Sequence, residues 1–114
     1  MKNLGLGAIL KQAQKLQEDI SRIKQELATM KVTGSAGGGM VEVTANGRQQ
    51  ILNIKIDKDG INPDDIEMLE NLIVAAVNQA LERSSELANE EMSKVTGGIL
   101  SNMPDGLKIP GIGF

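Results

Sequence analysis

The stretch MVEVTANGRQQILNIKID, residues 40–57, decides the fold. Asn46-Gly47 stands between two runs of β-branched and aliphatic residues, the strongest short-range signal for a two-residue hairpin. Counting outward from that turn pairs Ala45 with Arg48, Val43 with Gln50 and Val41 with Leu52. Alternation then gathers Val41, Val43, Ala45, Leu52, Ile54 and Ile56 on one face. The other face carries Glu42, Thr44, Gln49, Asn53, Lys55 and Asp57, with Met40 and Ile51 as apolar exceptions. Such a pattern asks for one covered face and one wet face. A lone hairpin is marginal in water, so the long helical patterns on either side are its natural covers.

Upstream, Leu6, Ile9, Ala13, Leu16, Ile20, Ile23, Leu27 and Met30 alternate spacings of three and four, a heptad seam. The pattern predicts a helix from Ala8 to Lys31, about 36 Å long at ~1.5 Å per residue. A seam this narrow suits packing on another helix better than lying flat on a sheet. Val32 to Ala36 reads as a short strand weakened by Gly34, and Gly37-Gly38-Gly39 as the turn into the hairpin. The three strands then lie antiparallel in sequential order, with outer edges open to a second copy.

Downstream, Lys58-Asp59-Gly60 closes the third strand. Asn62 is placed to cap a second helix, with Pro63 at its first position and Asp64 and Asp65 at the positive end of its dipole. Ile61 and Ile66 fit a hydrophobic staple. This helix is expected to run to about Val95 and to stop at Gly97-Gly98. One of its stripes is Ile66, Leu69, Ile73, Ala76, Ala80 and Leu87, interrupted by Arg83. A second is Val74, Val77, Leu81, Ser84, Ala88, Met92 and Val95. The whole is an α+β fold, a two-layer α-β-β-β-α domain over residues 1–98. Pro104, Pro110 and several glycines make residues 99–114 a mobile tail or a strap over a neighbour.

One small sheet cannot hide the seam, the sheet-facing arc of the second helix and its leftover stripe together, and the surplus predicts a homodimer. Its interface is expected at Val41, Val43, Leu52, Ile54 and Ile56 on the sheet and Leu81 on the second helix.

At 114 residues the length is that of one domain. There is no Cys and no His, so thiolate chemistry is excluded and metal ligation would fall to carboxylates. No run reaches the ~18 apolar residues of a membrane span, and a cytoplasmic protein is expected. The net charge is −3, but it is unevenly spread. Residues 1–31 hold six basic and three acidic side chains, residues 62–95 two basic and eight acidic ones. Within the heptad register Lys11, Lys15 and Arg22 face away from the seam, with Lys2 near the same end and Lys24 flanking it. Lys and Arg contacts to phosphate supply sequence-independent DNA affinity. The competing reading is a solvated, ion-paired face, since Glu18 is spaced to meet both Lys15 and Arg22.

Other motifs carry less. The glycines of residues 34–39 lack the Gly-Lys-Ser/Thr ending of a phosphate loop and precede a strand. With Gly60 at the sixth position of a calcium loop, positions one and twelve would be Lys55 and Ile66, neither a carboxylate. The adjacent acids Glu90-Glu91 and Asp64-Asp65 point about 100° apart on a helix and make no catalytic pair. With no Trp or Tyr and one Phe there is no aromatic platform for single strands. No enzyme, metal, cofactor or small-molecule substrate is expected.

Several stretches resemble the YbaB/EbfC family of bacterial nucleoid-associated proteins. Leu10-Lys11-Gln12-Ala13-Gln14-Lys15-Leu16-Gln17 looks like that family's opening helix. Residues 34–47, GSAGGGMVEVTANG, resemble its central strands, and Ile54-Lys55-Ile56-Asp57 its third strand. Gly97-Gly98 with Ile109-Pro110-Gly111-Ile112 is similar to its glycine-proline tail. The resemblance implies an α-β₃-α fold, a dimer whose paired helices project like the arms of tweezers, and double-stranded DNA as partner in the nucleoid. The alternative from the residues is a dimeric adaptor that takes a protein partner on its seam and acidic second helix.

Overall fold

The computed structural model describes the backbone of residues 2–101 and the side chains of residues 5–95. Two helices flank a three-stranded antiparallel sheet of order β1-β2-β3: α1 (Lys2–Thr29), β1 (Lys31–Ala36), β2 (Val41–Asn46), β3 (Ile51–Ile56) and α2 (Ile66–Ser101). The expected α+β architecture and strand order are therefore present. Residues 102–114, the bulk of the expected tail, lie outside the described residues.

The core lies where α2 crosses β1 and β2. Val41, Val43, Ala45, Ala76 and Ala80 are fully buried, with Leu69, Leu72, Ile73, Val77 and Ile56 packed around them. Small residues set the contact distance. A Cβ at Gly34 would fall 2.4 Å from the Ala76 carbonyl oxygen and 2.5 Å from the Ala80 nitrogen. Gly34 weakens β1 on propensity, yet it is what lets the α2 backbone approach the sheet. The outer edge of β1 is not open as expected. Gln79 Oε1 accepts the Ser35 N–H at 2.7 Å, and Arg83 Nη1 donates to the Thr33 carbonyl at 2.7 Å.

The hairpin register differs from the sequence reading. Val43 pairs with Ile54 and Val41 with Ile56, not with Gln50 and Leu52. The loop is Gly47-Arg48-Gln49, closed by Asn46 N–H to the Gln50 carbonyl at 3.0 Å, with Gln49 at φ 60°. This is the three-residue hairpin, a tight turn followed by one left-handed residue. A register shift between Thr44 and Ala45 sets Ala45 against Ile51 and takes Leu52 out of the ladder.

The cause is long-range. Gly47 N–H donates to the carbonyls of Leu27 (2.8 Å) and Met30 (3.1 Å), filling acceptors that the end of α1 would otherwise leave bare. Asn46 Nδ2 reaches the Ala28 carbonyl at 3.4 Å. A Cβ on Gly47 would meet Leu27 Cδ2 at 2.7 Å, so glycine is required here for close approach. Asn46 Oδ1 accepts the N–H groups of Arg48 and Gln50 at 2.9 and 3.1 Å. The buried Ser84 hydroxyl donates to the Asn46 carbonyl at 2.7 Å and accepts the Gln49 N–H at 2.9 Å. Asn46→Ala should therefore cost about 2–3 kcal/mol in urea unfolding, since it strands buried donors as well as losing bonds. A loss under ~0.5 kcal/mol would show that the network does not hold the loop.

Helix boundaries also moved. α1 starts earlier than Ala8 and stops at Thr29, because Lys31 enters β1. Asn62 does not cap α2. Its Oδ1 accepts the Asp64 N–H at 3.0 Å and its carbonyl the Asp65 N–H at 3.0 Å, which makes a turn. Asp65 is the cap, accepting the Met68 N–H at 3.1 Å, so Ile61 and Ile66 are not at staple positions. α2 continues past Gly97-Gly98 to Ser101. Two glycines cost a helix only ~1 kcal/mol each, which does not by itself end it.

Candidate nucleic-acid interface

α1 and α2 build an arm. The Asn46-Gly47 corner touches both Leu27 near the end of α1 and Ser84 midway along α2. From that junction the second half of α2 runs outward against α1, which points the opposite way. Ile23 and Leu27 of the seam are buried, Leu16 and Ile20 half-buried, and the side chains nearer the start of α1 increasingly exposed. A groove of about 540 Å³ between the helices is lined by Lys15, Arg22 and Lys94 on the basic side and by Asp19, Glu26 and Glu91 on the acidic side. With cations and anions matched, that groove does not select an anion. Lys94 donates to Glu91 at 2.7 Å, and this hydrogen bond and charge raise its pKa above the ordinary lysine value.

The outer stripe is different. Lys11, Lys15, Arg22 and Lys24 are all exposed. On an α-helix Lys11, Lys15 and Arg22 fall within about 40° of each other and well away from the seam, while Lys24 lies on the flank. The structure thus joins three of the predicted residues in one stripe and leaves Lys24 outside it. The side chain of Lys2 lies outside the described residues. Arg22 is committed: its guanidinium is 3.0 Å from Asp19 and 3.7 Å from Glu26. The sequence reading had set Glu18 against Lys15 and Arg22; the partners are instead Asp19 and Glu26, at spacings of three and four that equally allow pairing. Among the described residues Lys11, Lys15 and Lys24 make no ion pair. The exposed acids of α2 (Glu67, Glu70, Glu82, Glu86 and Glu90) would repel a polyanion, which leaves α1 as the cationic side.

The sheet residues expected at a dimer interface divide. Val41 and Val43 are 0% exposed beneath α2 and belong to the core of the single chain, open to no second copy. Leu52 and Ile54 are exposed, Ile56 and Leu81 half-buried. α2 lies on β1 and β2 rather than on β3. Gln79 and Arg83 mark the β1 side of α2, and Val74 and Leu81 stand roughly 140–160° around the helix from Gln79, toward β3. Ile51, Ile66 and Val74 join this uncovered apolar region. Ile51 was missed because the two-residue register put it on the polar face.

The chain matches the model of the YbaB/EbfC DNA-binding family over residues 1–99. It belongs to that family. YbaB/EbfC relatives include a nucleoid-associated protein of Syntrophobacter fumaroxidans, 52% identical over 103 residues covering 90% of this chain and 91% of that one. Another, from Moorella thermoacetica, is 50% identical over 99 residues, covering 84% and 95%. The fold is similar to the crystal structure of an uncharacterized Helicobacter pylori protein (TM-score 0.57, 22% identity, 83% of this chain and 92% of that one). YbaB/EbfC membership identifies a DNA-binding protein and not an enzyme, as the residue inventory led one to expect. Among the described residues no helix is long and apolar enough to cross a membrane.

Proposed function

We propose that the chain works in the bacterial nucleoid as a homodimer that binds double-stranded DNA through the outer stripe of α1, with little direct base readout. The observation that carries this reading is the Lys11–Lys15 pair, exposed on the outside of a projecting arm and free of ion pairs among the described residues. Phosphate contacts from such lysines release counterions and give affinity without reading sequence. Dimerisation is supported by the region α2 leaves bare, where Ile51, Leu52, Ile54, Ile66 and Val74 are 39–58% exposed. Apolar surface of that extent on one side of a small domain calls for cover. A second copy places another pair of lysines on the same duplex and doubles the electrostatic footprint.

Sedimentation with a roughly 30-bp duplex at two salt concentrations tests both halves. The free protein should run as a dimer at micromolar concentration. With four lysines each neutralising a phosphate, affinity should drop roughly 100-fold between about 50 and 200 mM salt. A compact single subunit would remove the dimer. An affinity flat in salt would remove the phosphate contacts and favour the adaptor reading, in which a protein partner binds the arms.

A further inference from the structure

α1 outruns its partner helix. Leu27 and Ser84 are level, both being bonded to the Asn46-Gly47 corner. From Ser84 to Ser101 α2 advances about 26 Å at ~1.5 Å per residue. The same distance back along α1 from Leu27 reaches Leu10. The groove agrees with this level, since Glu91, Lys94 and Val95 line it with α1 residues centred near Asp19. The turns of α1 that hold Leu6, Ile9 and Leu10 therefore stand at or beyond the end of α2. Their exposures are 66%, 62% and 56%, the largest of any apolar side chains on α1 among the described residues. Leu6 and Ile9 continue the seam that is buried at Ile23 and Leu27, so the same apolar stripe simply runs out of cover.

The chain that follows Ser101 begins at that level. Residues 102–114 contain Leu107, Ile109, Ile112 and the only aromatic residue, Phe114. Pro104 and Pro110 bar these residues from prolonging α2 as a regular helix. In extended chain Leu107 and Ile109 share one face, as do Ile112 and Phe114. Thirteen residues can span at most roughly 45 Å, and the bare segment of α1 from Leu10 to Leu6 is only about 6 Å long. Asp105 also offers a charge of the sign that Lys11 lacks beside it.

We propose that residues 102–114 fold back onto the end of α1 and seat their apolar side chains on Leu6, Ile9 and Leu10. The strap completes the helical seam that α2 is too short to cover. It keeps the tip of the arm from exposing three large apolar groups one turn from the cationic stripe, and it does not depend on what the arm binds.

The chain has no Cys, so Gly113→Cys gives one attachment point for a nitroxide on the full-length protein. Methyl signals of Leu6, Ile9 and Leu10 should lose most of their intensity, while those of Ile51 and Val74 keep theirs. Phe114→Ala should abolish ring-current shifts of the same three methyls, for which the chain has no other aromatic source. A chain stopped after Ser101 should shift those methyls alone and bind more of an apolar dye. Retained intensity at all three positions would overturn the strap. So would loss seen only on mixing labelled with unlabelled chains, which would make a second copy the occupant. Loss appearing only after a DNA duplex is added would overturn it too, since the tip would then be bare in the free protein.

Discussion

Replacing Lys11 and Lys15 together by glutamate is expected to weaken duplex DNA binding on the order of 100-fold or more at about 0.1 M salt. Both ammonium groups are exposed and unpaired among the described residues, so none of their charge is offset locally. In a dimer the change removes four cations and installs four anions. The slope of log K against log salt should shrink by up to ~3.6, at ~0.9 per phosphate contact. Arg22→Gln should do much less, because Asp19 and Glu26 already hold that guanidinium at 3.0 and 3.7 Å. Neither change touches a buried side chain, so the melting temperature should stay within a few degrees. Band-shift titrations of the folded variants decide the matter. Unchanged affinity in the double variant would exclude the outer stripe of α1 from the binding site.

Gly34→Val should be the most damaging single substitution for the fold. The new Cβ would lie 2.4 and 2.5 Å from backbone atoms of Ala76 and Ala80, and a helix backbone cannot swing aside as a side chain can. α2 would have to lift off β1. That motion breaks the Gln79 and Arg83 hydrogen bonds to the strand edge and lets water reach Val41 and Val43. Overpacking of this kind costs typically ~1–3 kcal/mol, and backbone contact puts this site at about 3 or above. In a domain of this size the melting temperature should fall by roughly 10–20 °C. Gly38→Ala is the control: its φ is 67°, but no atom lies within 4 Å of the added methyl, so about 1 kcal/mol is expected. Both variants should be melted at one protein concentration, since a dimer's transition moves with it. A Gly34→Val protein that melts with the parent would mean that small-residue contact does not set the helix–sheet distance.

Much of the arm was legible in the residues. The heptad seam of α1 is a local pattern, and the structure buries its later members, Ile23 and Leu27, as the period requires. Its first members are bare for a reason no periodicity carries: α2 ends too soon. The basic stripe was legible as well, because helical geometry alone gathers Lys11, Lys15 and Arg22. That Arg22 is spoken for while the lysines are not depended on rotamer choice among several carboxylates at permitted spacings.

The sequence by itself determined which elements form, their order and which helix face is cationic, because those properties rest on side-chain type repeated at fixed intervals along a few turns. Tertiary structure alone decided the strand register, the cap of α2 and the apolar region left uncovered. Asn46-Gly47 reads locally as a two-residue turn, but Gly47 N–H goes to the Leu27 carbonyl and Ser84 binds the loop from 38 residues away. Those donors and acceptors compete with local turn preference and win, since each would otherwise be buried without a partner. The resulting register sets Ile54 and Ile56 beside Val43 and Val41 and brings Ile51 opposite Ala45. Which greasy residues a second molecule can reach is thus settled by hydrogen bonds at the far end of the hairpin.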